Sequence, residues 1–300
     1  MKAIIGPQTF LEAKFLAVFS NKCNVPIFSF TSGPLSFTDQ YPYFVQITQD
    51  EPTQFKAIAS LVESFKWRNV IFIYEDTDYG REILPYMVNL FLEKDIQIVY
   101  RTAISLSASD AQILEELSKL MNVQTTVFIV HMSPSLASCF FLNARKLGMV
   151  SKGYAWILTE KTMNLLRTRD AEVIKSLQGA LGLKSYVPKS RKLSKFNLRW
   201  RKKHYSNDSI IGSLLVYDTT WALANAVERI GNLGVSKSGE ALLHEISRVR
   251  FKGLSGDYQL YNGKLIINAF EIVNVIKKRE LRGRLLDPFQ WNCERNIPIL

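Results

Sequence analysis

The sequence contains no run of the roughly 18 to 20 consecutive apolar residues that a membrane-spanning helix needs. Its nearest approach, Val127–Val130, is ended at once by His131 and Ser133. The N-terminal MKAIIGPQTF has a lysine and a few apolar residues, but Gly6 and Pro7 break the run too early for a signal peptide. Cysteine is scarce. Cys23, Cys139 and Cys293 are odd in number and lack metal-ligand spacing, so no metal is expected and the compartment is left undecided. Cys139, among Leu136, Phe140 and Phe141, reads as a buried free thiol. The three histidines, His131, His204 and His244, join no recognisable catalytic signature, and G-x-S-x-G and H-E-x-x-H are both missing. Without G-x-G-x-x-G or a Walker loop, a nucleotide cofactor lacks its usual phosphate cradle. Catalytic residues and cofactors are therefore not expected. Nor is there an internal repeat or a low-complexity segment.

What is present is a packed globular pattern, 47% hydrophobic and 22% charged over 300 residues, long enough for one large α/β unit or two lobes. Short apolar runs alternate with amphipathic stretches. Ala3–Ile5 reads as a strand running into a Gly-Pro turn, as though the chain starts inside a domain. Leu11–Phe19 reads as a helix and Val25–Phe30 as a buried strand. Ile58, Leu61, Val62 and Phe65 recur at i, i+3, i+4 and i+7, one face of a helix. Val70–Tyr74 has no polar alternation, as expected when both faces are covered. Helices are predicted around Ile83–Phe91, Ile113–Leu120 and Leu136–Leu147, and strands at Ile96–Tyr100, Val127–Val130 and Tyr154–Leu158. This rhythm means a parallel sheet with helices on both faces, which binds ligands beyond the carboxyl ends of its strands. The residues just past those ends are Gly6–Thr9, Thr31–Ser32, Glu75–Gly80, His131–Ser133 and Thr159–Lys161. After Gly179 come a connecting strand (Leu181–Val187), a long helix from about Leu214 to Ile230, and a hairpin around Asn262-Gly263 with a further strand within Asp257–Ile276.

The formal net charge is +11. Between Pro188 and Asn207 stand eight basic residues and no acid: Lys189, Arg191, Lys192, Lys195, Arg199, Arg201, Lys202 and Lys203. Such a run would suit an anionic partner such as nucleic acid or lipid headgroups. Leu193, Phe196 and Trp200 at helical spacing favour instead an amphipathic helix with a solvated basic face, and no nucleic acid is expected. Asp76 and Asp78 are placed to ligate a hard cation, but no third acid follows, and a helix cap at Asp76 or Thr77 with a turn eased by Gly80 is favoured. Asn207-Asp208-Ser209 is a glycosylation sequon at Asn207.

The strand-end phrases, taken in order, resemble one family. AIIGPQT, VPIFSFTS, YPYF, W-x-x-V-x-x-IYED-x-DYG, VFIVHM, LGM-x-x-x-GYAWILT, QGALGLKSYVP and YDTTWALA-x-AVE are similar to the receptor-family ligand-binding region of plant glutamate receptor-like channels, from Ala3 to about Val275. The resemblance implies a two-lobed type I periplasmic-binding-protein-like clamshell with doubly wound parallel sheets, the first lobe lacking the family's N-terminal strand and helix. The implied boundaries are 1–48 with 188–255 for the first lobe, 49–187 with 256–282 for the second, and 283–300 as a C-terminal tail. It implies an extracellular sensory domain of a ligand-gated cation channel. Such a domain closes its lobes over an amino acid or similar small ligand, sits on the outer face of the plasma membrane in the full-length family, and assembles with receptor subunits.

Carried over by position, the ligand-binding candidates are Gln8, Thr9, Thr31 and Ser32 on the first lobe and Tyr79, His131 and Glu160 on the second. Hydroxyls and backbone N–H groups would hold a ligand carboxylate, Tyr79 would cover its stem, and Glu160 would take its ammonium. The family often has aspartate at the position of Glu160. Phe10 stands where relatives usually carry a small residue, and the stretch after Ser29-Phe30 is about one residue shorter than the family phrase. After Arg282-Gly283 the chain ends in LLDPFQWNCERNIPIL, which matches nothing in the family pattern. The alternative is a remnant that binds no ligand and only associates with full-length receptor subunits.

Overall fold

A computed structural model of the protein describes residues 3–7, 10–31, 40–48, 51–167, 170–204, 211–233, 238–266, 269–276 and 279–285. The chain forms two compact units, Met1–Glu51 with Val187–Ile267 and Pro52–Tyr186 with Asn268–Leu300.

In the first unit, β1 (Ile4–Ile5), β2 (Ile27–Ser29) and β3 (Phe44–Gln46) pair in parallel. The sheet continues through β11 (Lys264–Leu265), β10 (Asp257–Tyr261) and β9 (Arg250–Lys252). Alternation along β2 sends neighbouring side chains to opposite faces. Ile27 packs with Ala13 and Ala17 of helix α1 (Phe10–Cys23). Phe28 packs with Leu215, Ala222 and Ala226 of the long helix α9 (Ile211–Leu233) and with Leu242 and Ile246 of α10 (Gly239–Ser247). The basic segment forms α8 (Arg191–His204), whose Phe196 stacks on Trp200 and meets Tyr217 edge-on, as the helical spacing predicts.

The second unit has seven strands in the order β13-β12-β8-β7-β6-β4-β5. Its strands β4 (Asn69–Glu75), β5 (Gln97–Ile104), β6 (Val127–His131), β7 (Ala155–Leu158) and β8 (Leu181–Ser185) are parallel. One face carries Ile71, Phe128 and Trp156 against α4 (Asp110–Met121) and α5 (Pro134–Lys146). The other carries Phe72, Ile129 and Ile157 against α2 (Glu51–Ser64) and α3 (Asp78–Leu92). Each fully buried Phe or Ile contributes about 1.5–3 kcal/mol, so this doubly covered sheet is where the core is concentrated. At the outer edge, the register of β4 with β5 shifts between Val70 and Ile71, so that Val99 is passed over in the pairing.

Antiparallel strands join the parallel ones at one side of each sheet: β12 (Phe270–Ile276) and β13 (Arg279–Leu285) add an antiparallel ribbon to the second, and β10 runs antiparallel to both its neighbours in the first. Three expectations are corrected. The Asn262-Gly263 hairpin forms, with both residues at positive φ. However, β11 pairs with β3, so the hairpin belongs to the first unit rather than to a second-lobe segment beginning at 256. Residues 283–285, expected in the tail, complete β13. Cys139 is exposed, because α5 buries its Leu136, Ala137, Phe140 and Phe141 arc and Cys139 falls outside it.

One polar clasp in the first unit holds α9 to the turn between β9 and β10. The buried Asp218 carboxylate accepts from Leu254 N–H (2.8 Å), Ser255 N–H (2.7 Å) and the Ser255 hydroxyl (2.6 Å). A Cβ at Gly253 would lie 2.4 Å from Asp218 Oδ2, so only glycine lets the turn approach this closely. Asp218→Ala strands two backbone donors and is expected to destabilise the chain by about 3 kcal/mol in urea unfolding. A loss below about 1 kcal/mol would mean that apolar packing alone holds this turn.

Candidate functional site

In the second unit the chain runs from β4 outward to β5, then crosses to the other side of β4 to form β6. The carboxyl ends of β4 and β6 therefore flank a topological switch point, where an open α/β sheet leaves a crevice for a ligand. Purely apolar strands end there in polar residues. β4 ends in Glu75, β6 ends in His131, and Thr159, Glu160 and Lys161 follow β7 at the start of the short helix α6 (Glu160–Met163).

The Glu75 side chain is only 7% exposed, yet it is compensated on both oxygens. Oε2 accepts from Ser133 N–H at 2.6 Å, and Oε1 lies 3.6 Å from Lys161 Nζ. The latter distance is an ion pair rather than a hydrogen bond. Lys161 keeps about a third of its side chain exposed. Gly80 packs tightly below: a Cβ there would meet the Glu75 carbonyl at 2.4 Å. The next turn is capped by Thr77, and Asp76 within it is engaged by an arginine. Thr77 Oγ1 accepts from Gly80 N–H, Asp76 pairs with Arg81 at 2.8 Å, and no metal-holding group of acids, histidines or cysteines exists among the described residues.

His131 is 1% exposed, beside the Phe55 ring at 5.9 Å, with Nδ1 3.1 Å from the Thr159 hydroxyl. Burial, followed by the nearby Lys161 ammonium, pushes its imidazole down to about 3, so it is neutral at physiological pH. Thr162 Oγ1 accepts from Met132 N–H at 3.0 Å and lies 3.1 Å from the carbonyls of both Val130 and Met132. Glu160 is tied back to β8. Its carboxylate accepts from Ser185 N–H (3.0 Å) and the Ser185 hydroxyl (2.7 Å), while its own N–H reaches Gln54 Oε1 at 3.4 Å.

In the first unit, Thr31 lies just past β2, buried, with its hydroxyl 2.7 Å from that of Ser29 and its N–H donating to Ser29 Oγ. Gln46, opposite Ser29 in the register, is also buried. Its Nε2 donates to Thr48, and its Oε1 has no hydrogen-bond partner among the described residues.

The sequence pattern of the receptor family ligand binding region matches residues 1–278. The chain belongs to this family. Among Arabidopsis thaliana proteins it is similar to Glutamate receptor 2.7, at 41% identity over 93% of the chain and 32% of that protein. Glutamate receptor 2.5 is 40% identical over 93% of the chain and 33% of that protein. The chain thus spans about a third of the length of the curated relatives it matches. Among solved structures it superposes on a leucine-binding protein from Thermotoga maritima with a TM-score of 0.78, at 20% identity, covering 95% of this chain and 80% of that one. It also superposes on an R. palustris transporter solute-binding protein in complex with 4-hydroxybenzoate, with a TM-score of 0.79, at 15% identity, covering 96% and 79%. The fold is the type I periplasmic-binding-protein fold. No helix among the described residues is long and apolar enough to cross a membrane.

Of the family-derived positions Gln8, Thr9 and Ser32 lie outside the described residues, as do the Tyr79 side chain and the sequon residue Asn207. His131 and Glu160 sit in one cluster at the ends of β6 and β7, but the first is enclosed and the second is bound to Ser185. Glu75, Ser133 and Lys161 were absent from that set, although each falls within a strand-end window. Applying the switch-point rule to both flanking strands would have found Glu75 and Ser133.

His131 gives this site a pH signature. Its folded value is depressed, so unfolding takes up a proton below the ordinary histidine value of 6.5. The stabilisation is complete above pH 6.5 and is lost as pH falls toward about 3, at up to about 1.4 kcal/mol per pH unit. His131→Gln is expected to lower stability at pH 7 and to flatten the slope between pH 6 and 4 by nearly one proton. An unchanged slope would show that the imidazole protonates in the folded state.

Proposed function

We propose that this chain is the ligand-binding module of a plant glutamate receptor-like channel and that it takes an amino acid or similar zwitterion at the strand ends of the second unit. The observation that carries this reading is the Glu75–Lys161 pair at the switch point, a buried carboxylate and a partly exposed ammonium held 3.6 Å apart. A zwitterion satisfies both groups at once. Its carboxylate hydrogen-bonds Lys161, and its ammonium meets Glu75 Oε1, replacing a long ion pair with two charge-assisted hydrogen bonds. In this reading His131 and Glu160 serve as supports that fix the ends of β6 and β7. Tyr79 of the second unit, and Gln8, Thr9, Thr31 and Ser32 of the first, remain ligand-contact candidates on the family resemblance alone. The module binds and performs no chemistry. In the full-length family such a module sits on the outer face of the plasma membrane and assembles with other receptor subunits.

Thermal unfolding of the purified chain against a panel of amino acids tests this. A ligand present at about 100 times its Kd adds about 2.7 kcal/mol to stability and raises the midpoint accordingly. Lys161→Met is expected to lower the unliganded midpoint, because it leaves the buried Glu75 carboxylate without its counter-charge, and to abolish the ligand-induced shift. A cooperative transition that no amino acid moves would sink the binding reading. Co-purification with full-length subunits would then be the remaining role.

A further inference from the structure

The second unit has another concavity, whose lining includes none of Glu75, His131, Ser133 or Lys161. Helix α3 and the edge strand β5 border two adjoining open grooves of ≈ 480 and ≈ 540 Å³ that share Val88 and Arg101. The two halves differ in chemistry. The first is lined by Arg81 and Arg101 with Tyr74 and Asn89. The second is walled by Val88, Leu92, Ile98 and Val99.

The charges in the first half are not balanced. Arg81 is paired with Asp76 at 2.8 Å. Among the described residues the Arg101 guanidinium has no hydrogen-bond or ion-pair partner, so among them it is an unpaired cation at the junction of the two grooves. In the second half, Leu92 and Val99 leave 55% and 43% of their surface in water, a cost that a covering apolar group would remove. One end of the groove thus asks for an anion and the other for a hydrocarbon.

We propose that the α3–β5 groove binds an amphipathic carboxylate, a medium-chain fatty-acid-like anion. Its head lies against Arg101, with Arg81 and Asn89 beside it, and its tail runs along Val88, Leu92, Ile98 and Val99. The planar guanidinium of Arg101 matches a carboxylate in a two-point contact, and the tail buries the exposed Leu92 and Val99.

Calorimetric titration of the full chain with decanoate, below its micellar concentration, tests the assignment. Decanoate is expected to saturate at one molecule per chain, with decylammonium and butyrate binding far more weakly. Arg101→Gln should weaken decanoate by about tenfold or more, the usual scale for losing a hydrogen bond to a charged group. Leu92→Ser, on the exposed face of α3, should weaken it severalfold without moving the melting midpoint. Lys161→Met should leave it unchanged, which separates this groove from the strand-end site. Equal affinity for decylammonium, full affinity in Arg101→Gln, or no saturable decanoate binding would each overturn the proposal.

Discussion

The central strands of the second unit are covered by helices on both faces, and this constraint orders most of what surrounds them. An apolar layer on each side leaves no place for a polar side chain within β4, β6 or β7, where burial without partners costs several kcal/mol. From Val70 to Tyr74, from Val127 to Val130 and from Ala155 to Leu158 every side chain is apolar. Polar chemistry is therefore displaced to the last residue of β4 and β6 and to the first residue past β7. Glu75, His131 and Thr159 are brought together there because the strands are parallel and end at similar heights.

Once collected, those groups must neutralise one another. A buried carboxylate is tolerated when hydrogen bonds and an opposite charge replace its lost water. Glu75 obtains both from the two loops that follow β6 and β7, Ser133 from one and Lys161 from the other. Glu160 performs the same service for β8 through Ser185. The segments beyond these strands are thereby fixed by polar bonds as well as by the packing of Met132 and Met163, the kind of preorganisation that receiving a charged ligand requires.

Long periodic elements were legible in the sequence. The α2 helix, the doubly buried β4 and the Asn262-Gly263 turn all lie where spacing and turn chemistry put them. Some short or edge elements were not. Phe44–Gln46 is too brief to show a period, and Arg279–Leu285 carries three arginines that mask a strand whose role is to pair with β12. The hairpin was assigned to the wrong unit because its own pattern holds no record of the β3 partner. At the site, the sequence indicates that residues 131 and 160 end up near one another, but not which way their side chains turn. A histidine at a strand end looks open until Phe55, from a helix that begins eighty residues earlier in the chain than His131, is seen to cover it.

The register shift in β5 has a consequence for how the molecule behaves in a crowd. An eight-residue strand at the edge of a parallel sheet offers a ladder of backbone groups to any other extended chain. Passing over Val99 breaks the regular repeat of that ladder partway along, and Arg101 stands two residues further on, so a second β5 cannot continue it without a gap and two opposed guanidinium groups. A broken register and a charge on the edge are both features that work against sheet-to-sheet pairing.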